Sequence, residues 1–267
     1  MEKRRDARVA GQFYPSQKSA LMDFLTEHID LKLPKKKVKA VIMPHAGYVY
    51  SGTTAALTIS NVTVPDTVLL IGPNHTGYGT EFSLMTRGTW RFPLGEVTID
   101  EGLTDALLKT SSLLQDDEVA HMYEHSLEVE IPFLYYLNKN IKIVPLTVAS
   151  TDLNDCKRVG EAIAQCIQGK DVLLVASTDM THYESQSSAE KKDKEAINAI
   201  LQLNEQRLAD AVSRLRISMC GYIPVYILLV AAKKCGAQSA QLIDYRTSGE
   251  AFGDYERVVG YAGIIIE

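Results

Sequence analysis

The chain reads as an α/β protein, a single-domain α/β/α sandwich with a mainly parallel or mixed central sheet. Two observations predict this. Short apolar, β-branched runs alternate with longer amphipathic stretches, the pattern of βα units in a sheet covered by helices on both faces. Several of those runs end in loops that carry histidine, and open α/β folds assemble their sites where strands end.

In chain order, residues 38–43, 67–72, 141–148 and 171–177 read as buried strands, each ending at a turn or polar cluster. Residues 241–245 and 259–265 read as strands near the C-terminus. Helices are expected over 54–60, 101–109, 154–168, 189–203, 205–216 and 224–234, the last closed by Gly236 after Cys235. Residues 81–87 and 95–99 suit a hairpin-like excursion. No internal repeat or long linker interrupts residues 1–267, so one domain is the simplest organisation.

Composition narrows the function classes. The chain has 267 residues, 46% hydrophobic and 23% charged, with a formal charge of -5. An acidic chain of this kind gives no electrostatic reason to expect nucleic acid or an anionic membrane as partner. The charged start Met1-Glu2-Lys3-Arg4-Arg5-Asp6 has no apolar signal-peptide run, and no stretch is apolar enough to span a membrane. The four cysteines are widely spaced without a CxxC pair. Reduced thiols in a cytoplasmic protein are the expectation.

The chemistry is concentrated in a few segments. His45, between Pro44 and Ala46-Gly47, and His75, between Gly72-Pro73-Asn74 and Thr76-Gly77, each follow a predicted strand. Imidazoles on two fixed loops suit a first-row transition metal, although each alone also suits a structural hydrogen bond. Asp179 and His182 follow the 171–177 strand. The carboxylate can orient the imidazole or raise its basicity, or Ser177, Thr178 and Asp179 can cap a following helix. Cys220-Gly221 precedes the apolar 224–234 helix, where a helix N-terminus would lower a thiol pKa and favour a metal, the alternative being an inert buried cysteine. His121-Met122-Tyr123-Glu124-His125 matches H-x-x-E-H, a zinc-peptidase pattern that needs both imidazoles on one helix. The polar lead-in 115–118 does not supply that helix. Glu124-His125-Ser126 instead reads as the start of a helix through Leu127, Ile131 and Leu134, with Glu124 and His125 free to face a site.

In this order, Ala10 to Pro15, Pro44-His45-Ala46-Gly47-Tyr48, Gly72-Pro73-Asn74-His75, Glu124 to Glu128, Ser177 to His182, Cys220-Gly221, Ser248-Gly249 and Val259 to Ala262 resemble the Memo family. Its microbial members are usually called AmmeMemoRadiSam system protein B. The resemblance covers nearly the whole chain. It implies a fold similar to the class III extradiol dioxygenases and a metal site of His45, His75 and Cys220, with Asp179 and His182 nearby. The thiolate stands where extradiol enzymes use a carboxylate, favouring iron, copper or zinc in a softer centre, so dioxygenase activity does not follow from the fold. The expectation is a non-haem iron or copper oxidoreductase, with His182, Asp179 and His125 as acid-base and polar residues. Phe13, Tyr14, Tyr48 and Glu124 are expected to meet the ligand. Phe13 stands where animal relatives carry the tryptophan linked to phosphotyrosine-peptide binding, so that recognition is not expected. The alternative is a non-catalytic module for a peptide or small molecule, acting with the AMMECR-type and radical SAM proteins that the family name implies as partners.

Overall fold

In the computed structural model, which describes residues 3–267, the elements run β1 (Arg4–Asp6), α1 (Lys18–His28), β2 (Ala40–Met43), α2 (Tyr48–Ser60), β3 (Thr67–Pro73), β4 (Phe82–Leu84), β5 (Thr89–Phe92), β6 (Gly95–Ile99), α3 (Glu101–Thr110) and β7 (Gln115–Asp116). Two 3₁₀ turns follow, Val119–His121 and Glu128–Glu130. The chain continues through α4 (Ile131–Leu137), β8 (Lys142–Val148), α5 (Leu153–Ile167), β9 (Val172–Ser177), β10 (His182–Glu184), α6 (Gln186–Leu201), α7 (Glu205–Leu215), α8 (Tyr222–Lys234), β11 (Ala240–Thr247), α9 (Gly249–Phe252) and β12 (Val258–Ile266).

One mixed sheet runs in the order β1-β5-β6-β8-β3-β9-β2-β12-β10, with β11 on β12, β4 on β8 and β7 on β4. Its centre, β8-β3-β9-β2, is parallel. Strand β12 enters antiparallel to β2 and also pairs with β10 and β11. The expected α/β class and mixed sheet are therefore present.

Alternation along the central strands divides the core. Ala40 and Ile42 of β2, Leu69 and Ile71 of β3, and Leu174 and Ala176 of β9 face one layer, packed with α3, α5, α6, α7 and α8. Val41 and Met43, Val68 and Leu70, and Leu173 and Val175 face the other, packed with α1, α2 and α4. Because successive strand side chains point to opposite faces, a continuous apolar run is the signature of a strand covered on both sides.

Helix starts follow local chemistry. Asp152 accepts from the backbone N–H of Asn154 and Asp155 to open α5, and Asp100 accepts from that of Leu103 to open α3. Helix α8, apolar all round, is buried from Ile223 through Ala232.

Three local expectations are corrected. Helix α2 begins at Tyr48, six residues before the expected 54–60 stretch. Ser177, Thr178 and Asp179 cap no helix: β10 follows, and α6 starts only at Gln186. The 124–126 segment does not begin a helix, since regular α structure starts at Ile131 after the 3₁₀ turn. Ser248-Gly249 opens the four-residue α9.

Candidate metal centre

The parallel registers explain why the histidine loops meet. Met43 of β2 lies opposite Ser177 of β9, and β3 lies on the other side of β9, Ile71 opposite Ala176. His45, His75 and Asp179 each lie two residues beyond their strand, so three neighbouring strands deliver them to one end of the sheet. His125 joins them from the loop before Glu128. One ring nitrogen from each of His45, His75 and His125 falls within 4.8 Å of the others.

The opposite nitrogens of two of these rings are already engaged. His75 Nδ1 lies 2.9 Å from Glu124 Oε1, and a carboxylate only accepts, so Nδ1 carries the proton and Nε2 is left free. His45 Nδ1 lies 2.9 Å from Ser177 Oγ. Imidazole ligands of metals are commonly held this way, the remote nitrogen bonded to an oriented oxygen.

Glu124 is the organiser of one half of the site. Its Oε1 accepts from the backbone N–H of His125 and Ser126, each at 2.9 Å, and Oε2 accepts from the backbone N–H of His75 at 2.5 Å. Burial opposes ionisation of this carboxyl, but the His75 and backbone hydrogen bonds outweigh it and hold its pKa at about 2. The His75 and His125 rings stack with centroids 4.8 Å apart and 23° between planes, and Phe13 covers His125 at 4.6 Å.

Asp179 organises the other half. Its Oδ1 accepts from the backbone N–H of His45 at 2.9 Å and of Ala46 at 3.3 Å, while Oδ2 lies 4.0 Å from His45 Nε2. Burial raises this carboxyl to about 6 against the pull of those donors. Cys220 Sγ sits 3.3 Å from His45 Nε2 and 3.2 Å from the backbone nitrogen of Asp179. Gly221 makes that approach possible, because a Cβ there would collide with Ser177 O and the Thr178 side chain.

The electrostatics favour the neutral form of His45 and His125. Burial, followed by the neighbouring His125 and His75, pushes the pKa of His45 well below its ordinary value; burial also lowers His125. Neutral rings keep the lone pairs that a metal needs. Burial and the Asp179 carboxylate push the Cys220 thiol up, so the expected lowering by the start of α8 is overridden.

The cleft outside these groups has a volume of about 570 Å³ and is lined also by Tyr50, His182, Tyr183, Phe252, Arg257 and Tyr261. His182 is on its wall, but its ring is oriented by Met180 O, 2.7 Å from Nδ1, rather than by Asp179 as expected. Phe13 is on the wall as well. Tyr14 and Tyr48, expected beside it, are buried behind it: Tyr14 donates to Glu128 Oε1 at 2.8 Å and Tyr48 to Val129 O at 2.7 Å. His121 is fully buried against Trp90, with Nε2 3.0 Å from Ser83 O, and takes no part in the three-histidine group. The H-x-x-E-H spacing is therefore not a zinc-peptidase helix.

Sequence reasoning missed the supports beneath the site. Arg5 is 1% exposed, with its guanidinium 4.2 Å from the Trp90 ring centroid. It donates to His121 O, Glu124 O and Glu128 Oε2, tying down the loop that carries Glu124 and His125. No local pattern links Arg5 to Glu128, 123 positions away. The roles of Ser126, Glu130 and Ser177 were equally silent, since they arise from hydrogen bonds between segments far apart in the sequence.

A family model for Memo-like proteins matches residues 5–265. A MEMO1 family protein of Methanosarcina acetivorans is 42% identical and covers 100% of both chains. One from Aquifex aeolicus is 40% identical over 98% of each. Among solved structures, an uncharacterized protein from Escherichia coli K12 superposes with a TM-score of 0.59, over 85% of this chain and 99% of that one; at 14% identity it speaks for the fold alone. With the family model spanning nearly its whole length and close relatives end to end, the chain belongs to the Memo family.

Proposed function

We propose that this protein holds a first-row transition ion on His45, His75 and His125, with Cys220 as an adjoining sulfur donor, and uses it to oxidise a small organic substrate in the cleft with dioxygen as the electron acceptor. The observation that carries this reading is the convergence of three ring nitrogens within 4.8 Å, beside a thiol 3.3 Å from one of the rings. Imidazole and thiolate together fit iron, copper or zinc better than a hard oxygen-seeking cation.

A bound ion would supply Lewis acidity and, as iron or copper, electron transfer. The chain supplies the rest. Glu124 fixes His75 with Nε2 bare, and Ser177 holds the Nδ1 side of His45. Cys220 must lose its proton to act as a donor, so uptake through sulfur releases a proton. His182 donates Nδ1–H to Met180 O and keeps the Nε2 lone pair as a base for a substrate hydroxyl. Phe13 shields the His125 side from water.

Elemental analysis of anaerobically purified protein tests the site, and oxygen uptake by metal-loaded protein over a panel of phenols tests the chemistry. Near-stoichiometric iron or copper with turnover is the expected result. Metal-loaded protein inert across the panel would reject the oxidation. Protein that neither contains nor takes up iron, copper or zinc would reject the centre.

A second reading, a binding module without turnover, is favoured by the exposed aromatic rings at the cleft mouth: Tyr50, Tyr183 and Phe252. Such rings give a ligand apolar contact area whether or not chemistry follows.

A further inference from the structure

Ser177 Oγ has three polar neighbours: Ser126 O at 2.7 Å, Glu130 Oε1 at 2.7 Å and His45 Nδ1 at 2.9 Å. A hydroxyl has one hydrogen and two lone pairs. A carbonyl only accepts, and so does a carboxylate. With Glu130 ionised, two acceptors would compete at 2.7 Å for a single hydrogen. The count closes if Glu130 is a neutral acid. Glu130 then donates to Ser177, Ser177 donates to Ser126 O, and His45 Nδ1–H donates to the remaining lone pair of Ser177.

The surroundings agree with that count. Glu130 is fully buried, pairs with no cation among the described residues, and has no partner at all for Oε2. A buried carboxylate in such a place is costly, and burial pushes this carboxyl well above its ordinary range. Glu128, two residues earlier, has the opposite setting: Arg5, Tyr14 and the backbone N–H groups of Arg8 and Val9 all donate to it. One short turn thus carries an acid placed to donate and an acid placed only to accept.

We infer that Glu130 is a permanently protonated positioning residue that, through Ser177, locks His45 in the Nδ1–H tautomer and so leaves Nε2 bare toward Cys220 and the cleft. Ser177 is also the point at which separate chain segments are tied together. Its partner Ser126 adjoins His125, and Ser126 Oγ donates to Pro73 O, two residues before His75. The lock therefore couples the orientation of His45 to the segments that carry the other two imidazoles. The part of this inference that concerns metal affinity rests on the proposed metal centre; the protonation and tautomer parts do not.

The test uses full-length metal-free protein at neutral pH. Infrared difference spectra between wild type and Glu130→Gln report the protonation of Glu130, and nitrogen-15 NMR of labelled histidine reports the His45 tautomer. Titration with ferrous ion under anaerobic conditions is then compared across variants. The expected results are a carboxylic-acid C=O band lost in Glu130→Gln and an Nδ1–H tautomer of His45 in wild type. Glu130→Gln, which keeps an uncharged donor, should retain that tautomer and the ferrous affinity. Glu130→Leu and Ser177→Ala should show mixed tautomers and about tenfold or weaker ferrous binding. If Ser177→Ala does not fold, the Gln and Leu pair at 130 decides the matter. Carboxylate bands in the difference spectrum, an Nε2–H tautomer in wild type, or equal behaviour of Glu130→Gln and Glu130→Leu would overturn the inference. Absence of ferrous binding in wild type, with the tautomer and infrared results as expected, would count against the metal reading and leave the lock standing.

Discussion

Glu124 accepts the ring N–H of His75 at 2.9 Å and also accepts the backbone N–H of the next residue, His125, at 2.9 Å. One carboxylate therefore sets the orientation of one imidazole and the backbone path of another. Every group that points at it is a donor.

That makes Glu124→Gln a disruptive change despite its size. An amide NH₂ would face donors already in place, and the compensation for buried charge would be lost. The expected outcome is metal affinity weaker by about 10- to 100-fold, measured by anaerobic titration. Glu130→Gln, made six residues away in the same loop, should leave affinity near wild type. Equal losses in both variants would contradict the assignment of Glu124 as acceptor and Glu130 as donor.

Stability should fall on acidification in two overlapping windows. His121 has its pKa lowered from 6.5 to about 4, by burial. Between those values the unfolded chain binds the proton and the folded one does not, so stability drops as pH falls through that range, by roughly 3 kcal/mol in all. Glu124, lowered from 4.5 to about 2, adds a loss as pH falls from 4.5 toward 2. Asp179, raised from 3.8 to about 6, works against these, favouring the folded state as pH falls from 6 toward 3.8. Denaturant melts from pH 7 to pH 3 in wild type and His121→Asn test this. The variant should show a smaller drop between pH 6.5 and 4, what remains coming from the buried His45 and His125, whose pKa values are also lowered; superimposable pH profiles for the two proteins would refute it.

Gly221→Ala should disturb the sulfur without touching it. The added methyl has no room against Ser177 O and Thr178, and overpacking of this kind costs about 1–3 kcal/mol. The expected result is a lower melting temperature and a Cys220 thiol that reacts faster with a thiol reagent, because the segment moves outward. Unchanged melting and reactivity would remove Gly221 from the account.

How far the sequence went follows from where each signal resides. Apolar runs such as Val68–Leu70 are local, and they marked the central strands because burial on both faces leaves no polar alternation. His45, His75 and Asp179 were legible for the same reason: each follows such a run directly, and parallel strands bring their ends together. His125 was placed in the cleft, but its membership of the three-nitrogen group depends on the path Glu124 imposes, which no spacing reveals. Tyr14 and Tyr48 misled because adjacency to Phe13 and His45 in sequence does not decide which way a ring turns. The roles of Arg5, Ser177 and Glu130 were invisible, since each acts only through partners tens of residues away.

The most direct test of the centre is metal content of four proteins prepared in parallel without oxygen: wild type, His125→Ala, Cys220→Ala and His121→Ala. Near-stoichiometric iron or copper is expected in wild type and His121→Ala, and a large loss in His125→Ala. Cys220→Ala should bind more weakly, with loss of any thiolate-to-metal absorption band. Full metal content in His125→Ala, or loss in His121→Ala equal to that in the cleft variants, would contradict the proposed centre.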